Sequence, residues 1–125
     1  MRNHPLLFKL VWALRRIAGI TPEKLNFQFH LRNQKKLFED YFRKNTLYKL
    51  QIGAQSNSIS DWLNVDIAPK SREVAYMDAT QTFPFEENTF DFIFSEHMIE
   101  HIGFEAGAFM LKECYRTLKR VVKLE

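Results

Sequence analysis

Apolar residues recur at two different spacings along this chain, and the change comes near residue 46. Before it, Leu6, Leu7, Leu10, Val11, Leu14, Ile17 and Ala18 repeat at helical intervals behind Pro5 and ahead of Gly19, which predicts a helix over about residues 5–18. Thr21-Pro22 has the form of a helix cap with proline in the first turn. It launches a second helix whose rough apolar face, Leu25, Phe29, Leu37, Phe38, Tyr41 and Phe42, runs up to Asn45. Inside that stretch NFQFHLRN (26–33) also alternates with period two, the spacing of a half-buried strand. After Asn45 the segments become short, rich in β-formers and separated by polar turns. LYKLQIG (47–53), WLNVDI (62–67), EVAYMDA (73–79) and FDFIFSE (90–96) read as four strands. Behind the last of them Phe104, Ala108, Leu111, Tyr115 and Leu118 line one face of a helix running to about Lys119.

Short apolar strands joined by connections that are not hairpins predict a parallel α/β sheet, although the links are too brief for a full helix in each. The organisation is a basic helical segment over residues 1–46 and an α/β segment over 47–125. At 125 residues, 46% apolar and 14% aromatic, the chain has the means to bury one core.

Charge changes the picture modestly. Residues 1–50 carry 11 Lys and Arg against 3 Asp and Glu, whereas residues 51–125 carry 7 against 12. A basic half attracts phosphates or anionic lipid, but no nucleic-acid motif or aromatic-interleaved basic run accompanies it, so a solvated helical face is the reading and no nucleic-acid partner is expected. Lys9, Arg15 and Arg16 offer the first helix a membrane-surface contact as the lesser alternative to packing on the domain. Its apolar run is too short and too interrupted for a membrane span, and no signal-peptide cleavage region follows it. Cys114 stands alone, which excludes an intramolecular disulfide and fits a reducing, cytoplasmic setting. Placed in a helical pattern, it reads as a small buried hydrophobe rather than a nucleophile.

One spelling points elsewhere. His97-Met98-Ile99-Glu100-His101 is the H-x-x-E-H of an inverted zinc-protease helix, which requires both histidines on one helical face, a third protein ligand and a water-activating carboxylate. His97 directly follows the fourth strand, at a strand-to-helix turn, so no metal is expected there.

Ligands of open parallel sheets sit beyond the carboxyl ends of the strands. Those ends carry Gly53, Asp66, Asp78 and Ser95-Glu96-His97. A glycine where backbone approaches a ligand, followed by an acid at the end of the next strand, suits a nucleoside whose ribose hydroxyls donate to the carboxylate. Each residue also has a purely structural reading: Gly53 turns the chain, Asp66 caps a turn before Pro69, and Asp78 caps the segment that follows.

In order and spacing, KLQIGAQSN, WLNVDIAP, MDATQTFPFEENTFDFIFSEHMIEHI and LKECYRTLKR resemble consecutive blocks of the class I S-adenosylmethionine-dependent methyltransferases, over residues 47 to about 119. More narrowly, they resemble a bacterial group with a G-W-L-N-x-D-like second strand. The resemblance implies a partial Rossmann-like sheet of about four mostly parallel strands in the order 3-2-1-4, with N-terminal helices and a C-terminal helix. It implies S-adenosylmethionine as cofactor and transfer of its methyl group to an unknown acceptor oxygen, nitrogen or carbon. The alternative is a catalytically inactive methyltransferase-like module that dimerises or binds a partner. Carried over by position, Gly53, Ala54 and Gln55 face the methionine part, Asp66 the ribose, Ile67 the adenine face, and Asp78 and Ala79 the adenine edge. Ser95 and His97 lie toward the methionine end and the acceptor, with His97 the candidate general base. Gln55 and Asn57 replace glycines common in the first block, and a side chain at 55 crowds the ligand or demands a positive φ. Where the family continues from R-x-L-K into Pro-Gly-Gly, this chain reads TLKRVVKLE. The expectation is a truncated domain without strands five to seven, whose fourth strand is an open edge suited to homodimerisation.

Overall fold

The computed structural model describes residues 21–120; the helix expected over residues 5–18 lies outside the described residues. Helix α1 spans Pro22–Lys44. Thr21 caps it, its hydroxyl accepting from the Lys24 amide at 3.1 Å, with Glu23 in the first turn and Arg43 and Lys44 in the last, each placed to suit the helix dipole. It ends where Asn45 turns extended and both its backbone amide and its side-chain amide donate to the Tyr41 carbonyl. The period-two stretch 26–33 is helical throughout. Helical spacing brings Phe27, His30 and Gln34 over Tyr76: Phe27 meets its ring edge-on, His30 stacks on it, and the Gln34 amide donates to its carbonyl at 2.6 Å. Tertiary contact thus overrides the local alternation.

Four parallel strands follow, β1 (Lys49–Ile52), β2 (Leu63–Asp66), β3 (Val74–Tyr76) and β4 (Phe92–Ser95), in the sheet order β3-β2-β1-β4. This is the expected α/β Rossmann-like partial sheet. Leu50 pairs with Leu63 and Ile52 with Val65, so these four side chains leave the sheet on one face. With Met77, Phe83, Phe85, Phe90 and Met110 they form the buried core, against which Leu37, Phe38 and Phe42 of α1 pack. Tyr41 ties three elements together: its hydroxyl accepts from the Lys49 amide at 2.8 Å and donates to the Asp61 carbonyl at 2.9 Å.

No helix connects β1 to β2. Residues 53–62 instead lie along the other face of the sheet, held by two buried amides that interrupt the apolar strands in register, Gln51 and Asn64. Gln51 Nε2 donates to Asn64 Oδ1 at 2.7 Å and to the Asn57 carbonyl at 2.9 Å. Asn64 exchanges hydrogen bonds with the Ile59 backbone and donates to the Trp62 carbonyl. The pair satisfies the polar backbone that a helix would otherwise satisfy internally.

Helix α2 (Phe104–Thr117) turns its buried face toward the core through Gly107, Met110, Glu113 and Thr117. The expected apolar stripe does line one face, but that face looks outward: Phe104 is 91% exposed, Leu111 58% and Tyr115 71%. Polar residues take the inner positions because each is satisfied there. Glu113 pairs with Arg116, and the Thr117 hydroxyl donates to the Glu113 carbonyl at 2.8 Å. Gly107 lets Ile99 approach to where a methyl group would touch it at 3.4 Å. Beside them Cys114 is half-buried, and burial pushes its thiol up to about 11, so it stays protonated and unreactive near neutral pH. Among the described residues no helix is long and apolar enough to cross a membrane.

Candidate functional site

Sharp turns leave the tips of β1 and β2, and the one after β1 needs left-handed backbone at two residues. Gly53 sits at φ +78°, with its amide and that of Ala54 both donating to the Val65 carbonyl. Gln55 follows at φ +53°, the conformation in which glycine is at ease and an L side chain costs about 1–2 kcal/mol. A carboxylate holds it there: Asp66 Oδ2 accepts from the Gln55 amide at 2.8 Å, and Oδ1 from the Ala68 amide at 2.8 Å. The acid at the end of β2 therefore shapes the loop after β1 and caps its own turn. An ionised carboxylate accepts about four hydrogen bonds, so two acceptor directions remain for a ligand. Gln55→Gly is expected to leave thermal stability unchanged or to raise it by up to about 1 kcal/mol, as relieved strain outweighs glycine's larger entropy loss. A fall of several degrees in Tm would show that the Gln55 side chain itself anchors the loop.

Gly53, Ala54 and Gln55 share a cleft of about 520 Å³ with Asn57, Phe94, Glu96 and His97. Gly53 also borders a cavity of about 70 Å³ formed with Asp66, Ile67, Met77 and Met98. The two hollows meet at Gly53. Ile67 presents an exposed apolar side chain next to Asp66. Asp78 and Ala79 line neither hollow. Asp78 Oδ1 accepts from both the amide and the hydroxyl of Thr80, capping the turn after β3, and Ala79 is buried in the core. Ser95 pairs with Ile52 and leaves the sheet on the core side, into an apolar recess of about 280 Å³ between β4 and α2.

His97, at the tip of β4, is also in left-handed backbone, at φ +55°, a conformation that clusters at functional turns. It precedes a single 3-10 turn, Ile99–His101, so His97 and His101 do not project from successive turns of one α-helix as the zinc-protease spelling requires. The exposed imidazole lies between two carboxylates, Nε2 at 3.3 Å from Glu96 and Nδ1 at 3.6 Å from Glu100. Glu100 is held below the usual carboxylate range, chiefly by its own backbone amide and next by His97. Sequence reasoning missed Glu96 and Glu100 as partners of His97, and Gln51 and Asn64 as the fasteners of the loop that walls the cleft. An asparagine at the centre of a strand is a poor β-former and was the available signal. Another hollow, about 320 Å³ between Asp40, Tyr41, Asp61 and Glu73, opens at the opposite, amino ends of β2 and β3, where open α/β sheets do not place ligands.

A family sequence model described as a methyltransferase domain matches residues 50–124. Comparison with curated proteins finds no match.

Proposed function

The chain belongs to the class I methyltransferase-domain family, and from that premise we propose that it binds S-adenosylmethionine across the tips of β1 and β2 and methylates an acceptor held beside His97. The observation that carries this reading is the junction of Gly53 and Asp66. A bare α-carbon and a side-chain carboxyl group stand at neighbouring strand tips, and the Gln55 amide bound to Asp66 fixes their separation. Asp66 receives the ribose hydroxyls on its two remaining acceptor directions, and Ile67 covers the adenine. Gly53, Ala54 and Gln55 bound the methionine end, within the larger cleft.

When bound, the cofactor supplies a methyl group already activated on a sulfonium. The protein's contribution is then to orient the acceptor and exclude water. His97 takes the acceptor's proton, an imidazole being suited to that exchange near neutral pH, while Glu96 and Glu100 hold the ring in place. Among the described residues the cleft wall carries Glu96 and no Lys or Arg, which disfavours an anionic acceptor.

Titration with S-adenosylhomocysteine by calorimetry tests the reading. One-site binding and a rise in Tm that grows with ligand concentration are expected. No heat and no thermal shift at millimolar ligand would reject it. That outcome would favour the second reading, a methyltransferase-like interaction module, for which the outward stripe of Phe104, Leu111 and Tyr115 is the supporting observation.

A further inference from the structure

We propose that Met98 closes the adenosyl side of the cleft in the free protein and swings off Gly53 to admit the cofactor, a step that rests on the cofactor reading above. The cavity bordered by Asp66 and Ile67 measures about 70 Å³. That is room for about two water molecules, whereas pockets that enclose small organic ligands begin near roughly 300 Å³. Something must move before a nucleoside can enter.

Of the other walls, Ile52 is buried in β1, Met77 is buried in the core, Asp66 is held by two backbone amides, and Ile67 is exposed. Met98 is the wall that lies on Gly53. Its side chain lies on the bare α-carbon of Gly53, where a methyl group would meet its Cβ and Sδ at 3.2 Å and its Cγ at 3.4 Å. Its polar contact is a weak one, from the Ser95 hydroxyl to the thioether at 3.9 Å. An unbranched thioether passes between staggered rotamers at little cost and fills irregular space well.

There is also somewhere for it to go. Met98 forms part of the wall of the apolar recess of about 280 Å³ that Ile93, Met110, Leu111 and Cys114 complete. One side chain therefore borders both hollows: over Gly53 it fills the adenosyl position, and turned the other way it fills the recess. His97, in left-handed backbone just before it, belongs to the same turn, so the gate and the candidate base are adjacent in the chain. A binding-competent state that is only partly populated weakens apparent affinity by its fractional population. Removing the gate should recover that factor.

The test compares the wild-type chain with Met98→Ala by calorimetric and stopped-flow titration with S-adenosylhomocysteine. Alongside, methyl spectra of the wild-type chain carrying ¹³C-methyl methionine are recorded, with the Met98 signal assigned by its loss in Met98→Leu. Met98→Ala is expected to bind roughly tenfold tighter and to associate faster, and the wild-type Met98 methyl signal is expected to move on saturation. A folded Met98→Ala with equal or weaker affinity overturns the gate while leaving the cofactor reading standing, as does a Met98 signal that does not move at saturation. Absence of binding by both proteins overturns the cofactor reading and the gate with it. Should Met98→Ala fail to fold, the wild-type methyl signal decides alone.

Discussion

Glu113→Ala is expected to destabilise the fold by about 3 kcal/mol or more, a fall in Tm of roughly 10–15 °C. Glu113 Oε1 accepts from the Phe83 amide and from Arg116 Nη2, both at 2.8 Å, and Oε2 accepts from Arg116 Nε at 2.8 Å. Arg116 in turn donates to the carbonyls of Phe85 at 2.9 Å and Phe83 at 3.1 Å. The pair clamps the connection between β3 and β4 onto α2, with the buried rings of Phe83 and Phe85 beneath it. Removing the carboxylate strands a guanidinium against backbone in a largely buried place and orphans the Phe83 amide, which costs far more than the pair contributes net. Arg116→Ala in the Glu113→Ala background should add little further loss, and a strictly additive double variant would disprove the clamp. Acid should reach the same interaction. Arg116 first, and the Phe83 amide after it, hold the Glu113 carboxyl below its ordinary 4.5. Folded Glu113 then binds its proton less readily than unfolded Glu113, so its contribution is complete above pH 4.5 and is lost as pH falls through the depressed folded value. The stability gap between the parent and Glu113→Gln should therefore narrow as pH drops below about 4.5, as denaturant titrations across that range would read.

Asp66→Ala is expected to weaken S-adenosylhomocysteine binding roughly 100-fold or more, since two charge-assisted hydrogen bonds to ribose are worth about 1.5–3 kcal/mol each. The loss of stability should be small by comparison. The Gln55 and Ala68 amides that Asp66 accepts from lie at the surface, where water replaces the lost acceptor. Asp66→Asn keeps one acceptor oxygen and should fall between the parent and the alanine variant. Binding of the alanine variant at parental affinity would remove Asp66 from the ribose site and confine it to the loop-shaping role that its contacts already demonstrate. The comparison thus separates what the carboxylate does for the fold from what it does for a ligand.

These two acids differ in how visible they were beforehand. Asp66 stands at the end of an alternating apolar strand, two turns after Gly53, and the rule that ligands gather at the carboxyl ends of parallel strands selects it directly. Glu113 sits in the middle of a helix whose regular apolar stripe pointed to the wrong face as the buried one. Phe104, Leu111 and Tyr115 make a regular stripe, yet the core took Met110, Gly107, Glu113 and Thr117. Periodicity registers which residues share a face, and it carries no record of whether a polar group on the opposite face will find its partners. Gln51 and Asn64 were hidden for the same reason, as amides inside strands that otherwise read apolar. His97 was visible as a residue at the tip of β4, but not its left-handed backbone or the two carboxylates around it.

By itself the sequence determined the elements and their type: a capped helix ending at Asn45, four short strands at the expected places, and a final helix ending beside Lys119. From strand length and connection style it also determined a parallel α/β sheet, and it put Gly53 and Asp66 at strand tips. Only the tertiary structure decided which face of the last helix is buried, how a loop without a helix is held on the sheet, and which side chain lies against Gly53. The physical reason is range. Helical and strand spacing is written in residues a few positions apart, whereas the satisfaction of a buried polar group or the filling of a cavity depends on residues such as Gln51 and Asn64, or Phe83 and Glu113, that only folding brings into contact.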